Sequence, residues 1–167
     1  MKEELMKLVH YFVINQNYEA INIKGIKDEI WLQNFKKTFK VIKIVDKEIK
    51  TKEELDKDIA KTLILSKKIK RRTFSFSLPI QIIYLNIDKN IELPSINNLS
   101  IVDTKEKLNM FYPDLVDKTN FSETGVKLIN RITYDLNVHS KEVAKEYNNT
   151  FKKDTPYFTY FLILLNV

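Results

Sequence analysis

A mixed α/β fold is the prediction: a β-sheet of about five strands with flanking helices, in the order α-β-β-β-α-β-β-α. Three observations carry it. Residues 3–15 repeat apolar side chains at helical spacing, and residues 20–45 hold three short runs of strand character. After Thr51 the period becomes helical again, and it is followed by a run, 80–87, that is apolar on both faces. The 167 residues carry 44% hydrophobic and 30% charged side chains and two glycines, a composition that suits one globular domain with its own core.

The elements follow in order. Leu5, Leu8, Val9 and Phe12 stand at i, i+3, i+4 and i+7 and give the first helix one apolar face. Residues 20–24 alternate around Ile21 and Ile23, Gly25 breaks the run, and Glu29–Gln33 is centred on Trp31, so a hairpin is expected. Residues 38–45 make a third strand, which completes an antiparallel meander. Thr51 is placed to cap a second helix, with Glu54 three residues later as its capping-box partner, and Leu55, Ile59, Leu63 and Ile69 follow helical spacing. Pro79 lacks a ladder donor, so the fourth, doubly covered strand begins near it. Residues 88–98 read as a loop, Leu99–Val102 as a short strand, and Thr104 as the cap of a small helix that ends before Pro113. A last long helix is expected from Ser122 through Val126, Ile129, Ile132, Leu136, Val143 and Tyr147, with a break near 137–140.

The chain's last stretch, 157–167, is an apolar run shorter than the roughly 20 residues that a membrane-crossing helix needs. Lys152 and Lys153 before it suit a cytoplasmic membrane edge, and Pro156 suits the first turn of a helix. The expected organisation is a soluble cytoplasmic domain over 1–151, a juxtamembrane linker over 152–156, and the start of a truncated transmembrane helix over 157–167. The competing reading makes 157–167 a buried element of a soluble protein.

Pro156, Thr159-Tyr160, Leu162-Ile163 and Leu165-Asn166-Val167 resemble the opening of the first membrane helix of rhomboid intramembrane serine proteases that carry a soluble domain ahead of the membrane part. Asp28-Glu29-Ile30-Trp31-Leu32 and Phe111-Tyr112-Pro113-Asp114-Leu115 resemble short signatures of that soluble domain and occur in the same order. The resemblance marks Asp28, Glu29, Trp31, Tyr112, Pro113, Pro156, Thr159 and Asn166. It implies a parent enzyme that cleaves peptide bonds in or near transmembrane segments by a Ser-His dyad without a cofactor. The expected partners are then the parent's own membrane-embedded protease domain, a membrane-protein substrate or regulator, and anionic inner-leaflet lipid.

Net charge is +6, and the segment 61–73 holds Lys61, Lys67, Lys68, Lys70, Arg71 and Arg72 without an acid. Such a stripe is read first as a solvated helix end favoured by the helix dipole. The second reading is a contact with an anionic membrane through Lys67, Lys68, Lys70, Arg71 and Arg72 together with Lys152 and Lys153; nucleic acid ranks last. The sequence has no cysteine, which excludes disulfides and thiolate metal sites. Its N-terminus lacks a signal-peptide pattern, so the cytoplasmic face is expected.

The order helix, three strands, helix, strand also resembles a restriction-endonuclease-like core, but without its active site. Such a site needs carboxylates on adjacent strands and a lysine two positions past an acid, whereas the third strand has Lys40 and Lys43 and no acid. Asp28 and Glu29 read first as solvated turn residues at a strand start and second as a cation site. His10 and His139 are isolated and offer no ligand pair. There is no Gly-x-Ser-Gly setting and no glycine-rich phosphate loop. No catalytic residue, cofactor or metal site is expected within 1–167.

Overall fold

The computed structural model describes residues 3–23, 26, 29–73, 78–115 and 133–136. The elements are α1 (Glu3–His10), a π-helical turn (Tyr11–Asn15), β1 (Glu19–Ile23), β2 (Glu29–Gln33), β3 (Val41–Val45), α2 (Lys52–Thr73), β4 (Ile80–Tyr84), β5 (Leu99–Val102), α3 (Lys105–Phe111) and β6 (Thr133–Leu136). They form a six-stranded mixed sheet in the order β5-β4-β3-β2-β1-β6. The meander β1-β2-β3 is antiparallel; β4 lies parallel to β3, β5 parallel to β4, and β6 parallel to β1.

Strand alternation sorts the core into two layers. Ile21, Trp31, Val41, Val45, Ile82 and Tyr84 face α2, which covers them with Leu55, Ile59, Leu63, Ile64 and Ile69. Ala20, Leu32, Ile42, Ile44, Ile83 and Val102 face the other way, against Leu8, Val9, Tyr11 and Phe12 from the first helix and its π turn, and Leu108 from α3. All five residues of β3 and of β4 are buried, as expected for strands covered on both faces. Burying a large aliphatic or aromatic side chain is worth about 1.5–3 kcal/mol, so these two strands hold much of the stability.

Local chemistry explains the element boundaries. The Thr51 hydroxyl accepts a hydrogen bond from the Glu54 N–H at 3.2 Å, while the Glu54 carboxylate accepts from the Lys50 N–H at 3.0 Å. The capping box is therefore displaced by one residue on its return side. Thr104 caps α3 in the expected way, accepting from the Lys107 N–H at 3.2 Å. Pro79 stands just before β4, where its carbonyl accepts from Lys40 N at 2.9 Å and Val41 N at 3.4 Å.

Three expectations are corrected. The first helix gives way after His10 to a π turn, so its last residues are wound more widely. The third strand starts at Val41, not at 38. The long helix expected from Ser122 to Tyr147 is overturned at Thr133–Leu136, which form β6; Ala20 to Ile23 pair with Thr133 to Leu136 in register. The open side of β1 and the strand preference of Thr133 and Tyr134 outweigh the local helical spacing. The remainder of that helix, the linker and the run 157–167 lie outside the described residues. Among the described residues no helix is long and apolar enough to cross a membrane.

The pairing directions give the sheet two distinct ends. The upper end gathers the C-termini of β3, β4 and β5 and the start of α2, and the lower end gathers their N-termini with the β2–β3 turn and the start of β1. α2 returns from the upper end to the lower one, because it leaves β3 and leads into β4.

Candidate functional site

β3 places one charged residue, Lys43, among valine and isoleucine in the layer facing α2. Its side chain is 1% exposed. Its ammonium donates to both Asp58 carboxylate oxygens at 3.1 Å and to the Thr62 hydroxyl at 2.9 Å, and lies 3.2 Å from Glu29 Oε2. Asp58 and Thr62 sit one turn apart on α2, and the Thr62 hydroxyl donates back to the Asp58 carbonyl at 2.7 Å. The Tyr84 hydroxyl, from β4, donates to Asp58 Oδ2 at 2.7 Å. From the upper end of β3 the half-exposed Lys47 reaches Asp58 Oδ1 at 3.1 Å. Trp31, directly across from Lys43 in β2, donates from its indole N–H to Glu29 Oε1 at 2.9 Å and lays its ring 5.4 Å from the Lys43 ammonium.

The cluster therefore joins β2, β3, β4 and α2 through one balanced set of charges. Burial pushes the Asp58 carboxyl up, but the charges of Lys43 and Lys47 and the Tyr84 hydroxyl outweigh it and hold the group below its ordinary 3.8. Burial, with the Asp58 charge and hydrogen bond beside it, drives the Tyr84 phenol well above 10.0. Burial lowers the Lys47 ammonium while Asp58 raises it, and the second effect wins. Both Asp58 oxygens and the Lys43 ammonium are fully engaged by the chain's own groups. The arrangement can fix four elements in register.

Glu29 is thus corrected: it is an ion-pair and hydrogen-bond partner inside the sheet, not a solvated turn residue. The carboxylates that the third strand lacks come to Lys43 from β2 and α2. Asp58 was missed by sequence reasoning. The available signal was Asp58 and Thr62 at i, i+4 on the face that also carries Leu65 and Ile69, all four buried. Among the described residues no group of three or more His, Cys, Asp or Glu side chains is arranged to hold a metal ion.

The other marked residues separate into four groups. Trp31 is 2% exposed at the core. Tyr112 packs edge-on against Tyr11 and Phe12, at 5.9 and 4.9 Å between ring centres, and donates its hydroxyl to the buried Gln81. Pro113 is exposed in the turn after it. Lys67 and Lys68 are half-buried near the end of α2, and Lys70, Arg71 and Arg72 occupy its last turn. Asp28, Lys152, Lys153, Pro156, Thr159 and Asn166 lie outside the described residues. No family model and no curated protein matches this chain.

Proposed function

We propose that the chain is the non-catalytic N-terminal cytoplasmic domain of a rhomboid-type intramembrane serine protease, with a regulatory or recruiting role. The observation that carries this reading is the order of three short signatures, Asp28 to Leu32, Phe111 to Leu115 and Pro156 to Val167. Two of them contribute anchors of the core, Trp31 in the layer under α2 and Tyr112 in the aromatic layer with Tyr11 and Phe12. The polar centre around Lys43 serves, on this reading, to hold β2, β3, β4 and α2 in register. In this reading the parent cleaves peptide bonds in or near transmembrane segments. The domain, held at the inner leaflet, binds the membrane-embedded protease part, a membrane-protein substrate or a regulator, and biases cleavage.

The decisive observation is the reading frame that encodes this chain. Continuation past Val167 with further apolar residues, then several membrane spans bearing Gly-x-Ser-Gly and a histidine, is the expected outcome; a stop at Val167 sinks the reading. In a cleavage assay, 1–167 alone should hydrolyse neither peptides nor transmembrane substrates. Turnover that disappears on an alanine substitution within 1–167 would refute the non-catalytic assignment.

A further inference from the structure

We infer that the lower end of the sheet is a docking surface for an anionic phospholipid bilayer, with a headgroup seat beside Gln33; the inference rests on the membrane-proximal reading above and assigns the part of the domain that meets the lipid. The topology brings two basic segments to this end. Lys36, Lys37 and Lys40 belong to the β2–β3 turn, and Lys67, Lys68, Lys70, Arg71 and Arg72 to the last turns of α2. The bonds from Lys40 N and Val41 N to the Pro79 carbonyl tie the turn to the chain that leaves α2. Thr73 ends α2 six residues before Pro79, so the end of α2 lies within about 21 Å of Pro79 at roughly 3.5 Å per residue.

The apolar exposure falls at the same end. The large hydrophobic side chains that stand exposed among the described residues are Ile14, Met110 and Phe111, at 41%, 78% and 43%. Ile14 belongs to the π turn that leads into β1, and Met110 and Phe111 close α3, where the Phe111 ring meets Phe39 edge-on at 5.7 Å. Isolated exposed apolar residues are ordinary. Their collection at a basic end is the pattern of an interfacial surface, where cations meet headgroups and apolar tips enter the boundary of the acyl region. That pairing favours lipid over nucleic acid, which would use the charge and leave Met110 and Ile14 without a role.

A seat for a headgroup lies within this end. An open cavity of about 710 Å³ is lined by Asn17, Glu19, Gln33, Asn34, Phe35, Lys36 and Lys37, so the Glu19 carboxylate offsets one of the two lysine charges and the lining keeps an excess of one positive charge. Gln33 is 6% exposed, and its side-chain carbonyl oxygen is buried without a hydrogen-bond partner. A buried acceptor of this kind calls for a donor. The Lys37 ammonium uses one hydrogen on Gln16 Oε1 at 3.1 Å and keeps others to offer, and Lys36 is exposed. A headgroup that combines a phosphate with a hydroxyl meets both needs: the lysines take the phosphate, and the hydroxyl donates to Gln33. Phosphatidylglycerol is the probe of this class.

The test is co-sedimentation of the 167-residue chain at physiological salt with vesicles of phosphatidylcholine, and with vesicles that also contain phosphatidylglycerol. Any binding through the apolar run 157–167 is common to both, so the difference reports the headgroup. Lys36→Ala with Lys37→Ala should cut that difference about twenty-five-fold, at about five-fold per base near an anionic surface. Lys50→Ala with Lys89→Ala makes the same charge change at the upper end and should leave it within about two-fold. Gln33→Leu should raise the melting temperature, since it removes an unpaired acceptor, and yet weaken phosphatidylglycerol binding. Free glycerol 1-phosphate at equal phosphate concentration should not displace the chain, which separates a bilayer from a soluble ligand. Equal binding to both vesicles, equal loss from the two lysine pairs, unchanged binding by Gln33→Leu, displacement by the free phosphate, or a DNA duplex that strips the chain from vesicles would each overturn the inference. The rhomboid-type reading stands or falls separately, on the reading frame past Val167.

Discussion

At the scale of single residues, Lys43 and Asp58 decide how this sheet is held. Taking an ion out of water costs several kcal/mol, and the cost is recovered only where the remaining donors and acceptors are filled. Here they are: Thr62, Glu29, Tyr84 and Lys47 complete the pair. Asp58→Asn should therefore cost about 3 kcal/mol, the low end of the effect of breaking a buried pair, because Lys43 keeps Glu29 as its counter-charge. Lys43→Met should also destabilise strongly, because it leaves Asp58 and Glu29 side by side with Lys47 as the main counter-charge. The double variant Lys43→Met/Asp58→Leu should lose less than the sum of the singles, by about 0.5–3 kcal/mol of coupling in urea unfolding; additive losses would show that the pair does not act as a unit. The pH dependence follows from the same carboxylate. Its folded value is depressed, so its stabilisation is complete above the unfolded value of 3.8 and is lost as pH falls from there through the folded value. Acid unfolding of Asp58→Asn should accordingly lack that component. Lys43 was visible in the sequence as a charge inside an apolar strand. Its partners were not, since Asp58 lies fifteen residues away on another element and only the packing of α2 on β3 brings them together.

At the scale of elements, the readable parts were those whose local pattern and tertiary surroundings agree. The meander, the central strand after Pro79, α2 and the Thr104 cap all announced themselves through period, proline placement or cap chemistry. Thr51 offers the cleanest check of such a local signal. Its hydroxyl holds the Glu54 N–H at the start of a 22-residue helix, so Thr51→Ala should lower stability by about 1 kcal/mol and the melting midpoint by about 2–4 °C. A midpoint unchanged within error would mean that water serves this N–H as well as the side chain does. Where local and non-local signals disagreed, the sequence misled. Val126, Ile129, Ile132 and Leu136 have helical spacing, yet Thr133–Leu136 pair with β1, a contact more than a hundred residues distant that no local window contains. The π turn after His10 was equally hidden, because widening a helix by part of a turn leaves its apolar periodicity nearly intact while it brings Tyr11 and Phe12 against Tyr112.

At the scale of the whole molecule, the sheet gains its strand beyond β1 only when β6, more than a hundred residues later, lies parallel beside it. On the reading proposed above, the run 157–167 belongs in lipid and contributes little to the core of the domain. The chain 1–154 should therefore melt with the same midpoint as 1–167. If 157–167 were a core element, its removal would delete several buried apolar residues at about 1.5–3 kcal/mol each from a domain whose total stability is about 5–15 kcal/mol, and the cooperative melt would disappear. The opposite behaviour is expected on interrupting β6. Successive N–H groups of an edge strand point alternately toward its neighbour and away from it, so Tyr134→Pro and Asp135→Pro, made separately where these residues pair with Ile21 and Asn22, include one that removes a ladder donor. The alanine variants at the same positions leave the backbone intact, so the larger of the two proline–alanine differences isolates the ladder. It should amount to about 1–3 kcal/mol, the cost of a broken bond with its acceptor left unpaired. Equal stability of the alanine and proline variants at both positions, measured by urea unfolding of 1–154, would mean that β6 lies outside the cooperative unit and that β1 is the true edge of the sheet.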